Sequence, residues 1–199
     1  MFAELGHFAL VLALVVSLVQ LFLPLYGVWV RNPAAQAVGS SAAVVQFGLV
    51  LFAFLALVHA FISNDFTLDY VARQSNTRLP VFYQVSAVWG GHEGSLLLWA
   101  LVLSGWTAAV ALFSRSLPRD MTARVLAILG SVSVAFLLFI LLTSNPFARL
   151  LPDFPPDGND LNPLLQDPGL IIHPPMLYMG YVGFAVPFAF ALAGLMGGR

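Results

Sequence analysis

The side chains best suited to chemistry in this chain are four histidines, His7, His59, His92 and His173, and the sequence contains no cysteine. Imidazole can act as a general base or as a metal ligand. The absence of cysteine excludes a thiol nucleophile, a disulfide and a cysteine-bound metal from this sequence. His173 is the first candidate for a ligand because it lies between an apolar run and two prolines, in NPLLQDPGLIIHPPMLYMGY, residues 162–181.

The two prolines after His173 predict its local structure. A residue before proline is biased toward extended backbone, and Pro174 and Pro175 suit the first turn of a helix, where backbone N–H groups lack partners. The sequence therefore predicts His173 at the N-cap of a helix. A neutral imidazole is a good ligand for haem iron, but a histidine that only caps a helix fits the same pattern. Three further side chains follow closely and would line such a site: Met176, Tyr178 and Tyr181.

The stretch VWGGHEGSLLLW, residues 88–99, is the second candidate region. It is not the zinc-protease helix motif, because no second histidine follows His92 at the required spacing. Its two adjacent glycines permit a tight bend, Glu93 suits the first turn of a following helix, and Trp89 suits a membrane interface. These residues predict either a helix entry with an aromatic anchor or a surface for a flat, partly apolar ligand or partner.

The composition indicates that the elements positioning these residues lie in a membrane. Of 199 residues, 60% are hydrophobic and only 9% are charged, with a mean hydropathy of +0.91. Soluble proteins carry about 25% charged residues. A net charge of −1 gives no indication of nucleic-acid binding. The first residues lack a positively charged leader, so we expect the first apolar run to remain as a membrane span.

Charged residues divide the chain into five apolar runs of 26, 33, 21, 24 and 31 residues. About 20 helical residues cross a bilayer core, so each run predicts one span in an all-α, polytopic membrane protein. The predicted spans cover residues 5–28, 39–63, 94–114, 125–144 and 174–197. Two long connecting segments, residues 64–93 and 145–173, are rich in turn formers and predict ordered loops.

The distribution of arginines predicts the orientation. Cytoplasmic loops carry an excess of basic residues, and an N-terminus on the outer side would place five arginines inside and three outside. The inside set is Arg31, Arg115, Arg119, Arg124 and Arg199. Under this orientation both ordered loops and all four histidines lie at the outer side, so we expect the chemistry there.

A transporter subunit is the alternative function. Proton or ion translocation needs ionisable groups near the bilayer midplane, and the predicted spans contain no Asp, Glu, Arg or Lys. His7 and His59 are interpreted as helix-end residues with local partners. A purely structural subunit that docks partners through its outer loops is a third hypothesis.

Two long stretches resemble a known family. SNTRLPVFYQVSAVWGGHEGSLLLW and NPLLQDPGLIIHPPMLYMGY are similar to the CcmF family of cytochrome c-type biogenesis haem lyase subunits, and the similarity extends from GHFAL to the end of the chain. The resemblance implies a bacterial inner-membrane protein that accepts haem from the periplasmic chaperone CcmE. With CcmH and CcmI, it assists covalent attachment of haem to apocytochrome c. A paralogue serving nitrite reductase maturation is also compatible.

The resemblance also implies roles for particular residues. The first of two periplasmic haem-ligating histidines in the family lies in the HPPMLYMGY motif, which maps onto His173. The family's tryptophan-rich haem platform and the histidines that hold a membrane haem b have no counterpart in this sequence. Family members are longer, so we expect this chain to be their N-terminal portion, with haem b bound mainly elsewhere. We predict no self-contained catalytic residue here, because the cytochrome supplies the reacting thiols.

Overall fold

A computed structural model of the chain describes residues 1–114 and 116–198. The described residues form eight α-helices in this order: α1 (Phe2–Trp29), α2 (Pro33–Ile62), α3 (Asp69–Gln74), α4 (Val81–Ala87), α5 (His92–Phe113), α6 (Arg119–Thr143), α7 (Pro168–Gly183) and α8 (Ala185–Met196). A 3-10 turn, Pro163–Gln166, precedes α7. The prediction of an all-α protein is confirmed.

Five helical segments in the described ranges are long and apolar enough to cross a membrane. They are α1, α2, α5, α6 and the consecutive pair α7–α8, which together cover Pro168–Met196. The five predicted spans overlap these segments, because each uncharged run is only long enough for one crossing. Two of the arginines used to predict orientation, Arg115 and Arg199, lie outside the described residues.

All five spanning segments begin earlier than predicted, and three do so by six residues, at Pro33, Arg119 and Pro168 instead of residues 39, 125 and 174. The Asn32 side chain caps α2 by accepting hydrogen bonds from the backbone N–H groups of Ala34 and Ala35, at 3.0 and 3.2 Å. The turn before it places Arg31 at a φ of 54°. The first turn of a helix can contain polar and charged residues, because its backbone N–H groups are free to bind them. The charge pattern therefore located the apolar part of each span but not the residue at which the helix begins.

The α6 helix packs against α1, α2, α5 and α8. One core cluster joins α1, α2 and the first half of α5 to the loops, and a second joins α6 to α5 and α8. Small residues bring the backbones together at the α1–α2 interface: a Cβ at Gly27 would lie 2.6 Å from the backbone nitrogen of Gln36. Close approach through small residues is the usual way in which membrane helices gain packing contacts.

The two long connecting segments, residues 63–91 and 144–167, interlock into one structure that we call the cap. Antiparallel bridging pairs Leu68 with Arg149, and the backbone N–H of Leu150 donates to the carbonyl of Thr67 at 2.8 Å. Further along, the N–H of Asn159 donates to the carbonyl of Ala72 at 2.8 Å. The prediction of two ordered loops is therefore confirmed. The hydrogen bonds between the two segments give partners to backbone N–H and C=O groups that turns alone would leave unpaired.

Candidate ligand site beside the cap

His173 lies in the second turn of α7 and is exposed. Its predicted position at the N-cap is wrong. Asp167 is the N-cap, and its carboxylate accepts from the N–H groups of Gly169 at 2.8 Å and Leu170 at 3.3 Å. Asp167-Pro168 is a better cap and first-turn pair than His173-Pro174, because an aspartate oxygen can accept from the free N–H groups. The two prolines after His173 therefore lie inside the helix.

The exposed face of α7 around His173 includes an open position at Gly180. Residues seven apart lie on the same side of a helix, two turns from each other. A Cβ added at Gly180 would meet no atom within 4 Å, so the surface below His173 is open. Met176, 68% exposed, lies one turn from His173 on the same side.

The two predicted lining tyrosines occupy different surroundings. Tyr181 is 69% exposed and lies at the edge of the face that carries His173, two turns farther along. Tyr178 is half-buried and packs against the second core cluster. Residues five apart point to different sides of a helix, so the structure separates Tyr178 from the His173 face.

Trp89 connects the cap to α7. Its ring is half-buried against the first core cluster, and its indole Nε1–H donates to the backbone carbonyl of Ile171 at 3.1 Å. The Oγ of Ser95 donates to the Trp89 carbonyl at 2.8 Å. These bonds fit the interpretation of Trp89 as an aromatic anchor at a helix entry; the alternative, a surface for a flat, partly apolar ligand or partner, stays a prediction.

A buried tyrosine that the sequence analysis missed organises the WGGHEG stretch. The Tyr70 hydroxyl donates to the carbonyl of Val88 at 2.9 Å and accepts from the N–H of Gly91 at 2.9 Å. Burial raises the pKa of Tyr70 above its usual range, so the phenol remains a donor. A Cβ at Gly94 would lie 1.5 Å from the Val88 carbonyl oxygen, so close approach is what requires a glycine there. No local signal in the sequence indicates this contact.

Glu93 is engaged within the protein. It lies in the first turn of α5, as predicted, with 8% of its side chain exposed, and its Oε1 is 2.5 Å from Nη2 of Arg73. This hydrogen bond raises the pKa of Arg73, and Asp69, which accepts from Arg73 Nε at 3.0 Å, adds to the effect. Neighbouring His92 has 68% of its side chain exposed, with Nδ1 3.4 Å from Oε2 of Glu93. Of this pair, His92 is the one free to meet a partner.

Arg149 was also missed by the sequence analysis. Its guanidinium hydrogen-bonds Glu4 at the start of α1 and Thr67 in the cap, and lies 3.4 Å from the carboxylate of Asp65. One side chain therefore connects α1 to both segments of the cap. The contacts span more than 80 positions of sequence, so no local spacing reveals them.

His7 and His59 lie near the ends of their helices, as interpreted, but their partners come from distant parts of the chain and are not local. Nδ1 of His7 lies 3.3 Å from the side-chain nitrogen of Asn145, and His59 makes an edge contact with Phe2. Among the described residues, no group of three or more His, Asp or Glu side chains could hold a metal ion. Charged side chains in the described spans lie within the first two turns of their helices, which does not favour a transporter.

These features define a polytopic α-helical membrane protein with an ordered extramembrane cap beside an exposed histidine. The sequence profile of the cytochrome c assembly protein family matches residues 89–198, which include both the WGGHEG stretch and His173. The chain belongs to this family.

Similar proteins align with all or nearly all of this chain. The cytochrome c-type biogenesis protein CcmF of Pseudomonas aeruginosa is 61% identical over 199 residues, covering 100% of this chain and 30% of its own length. CcmF of Escherichia coli K12 is 60% identical, with 100% and 31% covered. NrfE of Haemophilus influenzae is 45% identical, with 98% and 31% covered.

A solved structure of the cytochrome c haem lyase CcmF superposes with a TM-score of 0.87 at 30% identity, covering 100% of this chain and 31% of the solved chain. The chain therefore spans about 30% of the length of the curated relatives it matches.

Proposed function

We propose that this chain is the part of a bacterial cytochrome c biogenesis protein that presents His173 as an axial ligand to haem during its attachment to apocytochrome c. The observation that carries the proposal is an exposed imidazole on α7, with an open helix surface below it at Gly180. The family membership supports the same process.

The residues on this face suit a flat, apolar molecule with a metal at its centre. Imidazole is a common axial ligand of haem iron, and Met176 offers a soft, adaptable apolar contact. Because Gly180 has no side chain, a planar ring could approach the helix closely. Tyr181 would border the ring, and Tyr178 would support the helix from its buried side.

Haem, as the cargo, supplies an iron that takes axial ligands and vinyl groups that react with cysteine thiols. This chain would bind and orient it. Holding two reacting groups in the correct geometry can by itself lower a barrier substantially. A chain without cysteine is compatible with this role, since the thiols belong to the cytochrome. A second axial ligand and most of the binding surface, including that for haem b, would come from the C-terminal part of the longer relatives.

We further propose that the cap faces the periplasm and that the helices lie in the bacterial inner membrane. Arg31, Arg119 and Arg124 lie at helix ends on the side opposite the cap, as the positive-inside rule expects of a cytoplasmic side. The cap, with exposed His92 beside Glu93, would then dock soluble partners. The partners implied by the family resemblance are the haem chaperone CcmE, CcmH and CcmI, and apocytochrome c, with no nucleic acid.

Replacement of His173 in the full-length protein tests the proposal. Loss of a residue that only supports a metal ligand costs roughly 10–100-fold in binding or activity. We therefore expect His173→Ala to lower the yield of c-type cytochrome by at least about tenfold at unchanged protein level. His173→Gly should regain part of the yield when imidazole is added, because the free ring can replace the ligand.

His59→Ala is the matched control, since His59 contacts Phe2 away from this face. A wild-type yield for His173→Ala, or equal losses for both variants, would contradict the assignment.

A further inference from the structure

The prolines after His173 leave one backbone carbonyl without a helical partner. In a helix the carbonyl of residue i accepts from the N–H of residue i+4, or of residue i+3 in a 3-10 turn. For Ile171 these two donors would be Pro175 and Pro174, and proline has no N–H. Leu170 differs, because His173 still offers an N–H at the i+3 position. Ile171 therefore carries the carbonyl that neither type of turn can satisfy.

The cap supplies the missing donor. The indole Nε1–H of Trp89 donates to the Ile171 carbonyl at 3.1 Å, and Ile171 is only 6% exposed. The bond is part-buried, and a carbonyl shielded from water needs a hydrogen-bond partner. The bond joins residues 82 positions apart in sequence.

Trp89 is itself held in place from both sides. Its carbonyl accepts from Ser95 Oγ at 2.8 Å, and the flanking backbone is fixed by the Tyr70 hydroxyl through Val88 and Gly91. The donor is therefore presented by a hydrogen-bonded part of the cap. Together with the Asp167 N-cap, this donor holds the first turns of α7 in place.

We infer that Trp89 is a positioning residue for His173: its indole N–H occupies the Ile171 carbonyl that the two prolines leave open, and so fixes the turn that carries the imidazole. This inference rests on the proposed function for its link to haem. The hydrogen bond between Trp89 and the Ile171 carbonyl is independent of that function. Both stretches act together: the tryptophan of WGGHEG supplies the hydrogen-bond donor that the prolines of HPP remove from the helix.

The chain contains a matched control for this contact. Trp106 Nε1 donates to the carbonyl of Met179, also at 3.1 Å and also on α7. The residue four positions after Met179 is Gly183, which has an N–H and lies within the helix. The Trp106 bond is therefore an addition to a carbonyl that already has a helical donor, whereas the Trp89 bond replaces one.

A double-mutant cycle on the purified full-length protein tests the inference without haem. The variants are Trp89→Phe, Pro175→Ala and both together, with Trp106→Phe as the control. The measurement is hydrogen–deuterium exchange of peptides covering residues 168–179. We expect Trp89→Phe to speed exchange about fivefold, the size of effect of one hydrogen bond. In the Pro175→Ala background the same change should have little effect, because the alanine restores a backbone N–H within reach of the Ile171 carbonyl.

The haem readout is the absorption spectrum of the haem-loaded full-length protein. Trp89→Phe should reduce the histidine-ligated fraction, Pro175→Ala should restore it in the double variant, and Trp106→Phe should leave it unchanged. An equal effect of Trp89→Phe on exchange in both backgrounds would overturn the role of Trp89, even if His173→Ala changes the spectrum. Coupling in exchange with a spectrum insensitive to His173→Ala would instead overturn the proposed function.

Discussion

The guanidinium of Arg73 lies 2.5 Å from the carboxylate of Glu93, joining α3 in the cap to the first turn of the membrane helix α5. The two partners differ in environment: 44% of the Arg73 side chain is exposed and 8% of that of Glu93. Loss of the arginine would leave the buried carboxylate of Glu93 without its cation. An unpaired buried charge is costly, because it has lost its hydration and gains no ion pair in return.

We therefore predict that Arg73→Gln destabilises the full-length protein by about 1–3 kcal/mol. The thermal unfolding midpoint in detergent measures this change. Arg78→Gln is the control, because Arg78 is an exposed arginine of the same loop and should cost less than about 0.5 kcal/mol. Equal midpoints for the two variants would show that the Arg73–Glu93 pair contributes little.

Gly94 should tolerate no side chain. A Cβ there would lie 1.5 Å from the Val88 carbonyl oxygen and 2.7 Å from the Tyr70 hydroxyl. Since the first neighbour is backbone, the cap must shift, and we predict that Gly94→Ala destabilises by about 3 kcal/mol or more. Protein level and unfolding midpoint report the loss. Gly48→Ala, where a Cβ meets nothing within 4 Å, should behave like the unmodified protein; similar losses at both positions would contradict the close approach at Gly94.

Gly180→Leu tests the open face without disturbing the described bundle, because a Cβ there meets nothing within 4 Å. A leucine would protrude where the proposed haem plane approaches His173. We predict a fall of about tenfold in haem retained by the full-length protein, corresponding to roughly 1.4 kcal/mol, at normal protein level. Gly48→Leu adds the same side chain at an open position of α2 and should leave haem retention unchanged. Equal haem retention in the two variants would remove this face from the site.

Asp157 should make the cap sensitive to acid. Its carboxylate accepts from the backbone N–H of Thr77 at 3.0 Å and from the Thr77 hydroxyl at 2.8 Å, and these bonds lower the pKa of Asp157. A lowered folded-state pKa contributes stability that is present above the unfolded pKa and is lost as the pH falls through the folded value. We predict that Asp157→Asn lowers the unfolding midpoint at neutral pH and reduces its further fall on acidification. An unaltered acid dependence in this variant would show that other carboxylates carry it.

Much of the candidate site could be predicted from local patterns, and the rest depended on distant contacts. The sequence drew attention to His173, Trp89 and Glu93 through their unusual neighbours. It misplaced the start of α7 because two Xaa-Pro pairs compete for the same role, and only the capping bonds of Asp167 distinguish them. It also treated Trp89 and His173 as separate candidates. Their connection is a bond between a side chain and a carbonyl 82 positions away, which no periodicity records.

The sequence by itself determined that five apolar runs form helices that can cross a membrane. Bilayer thickness and helical rise set the required length, and charges mark where each run must stop. The tertiary structure decided how the two long loops interlock through Arg149, how Tyr70 supports the bend before α5, and which donor reaches the carbonyl left open by Pro175. The physical reason is that backbone bonds within a helix follow from local composition. Buried donors and acceptors outside helices must instead find partners in space, and the folded chain alone selects those partners.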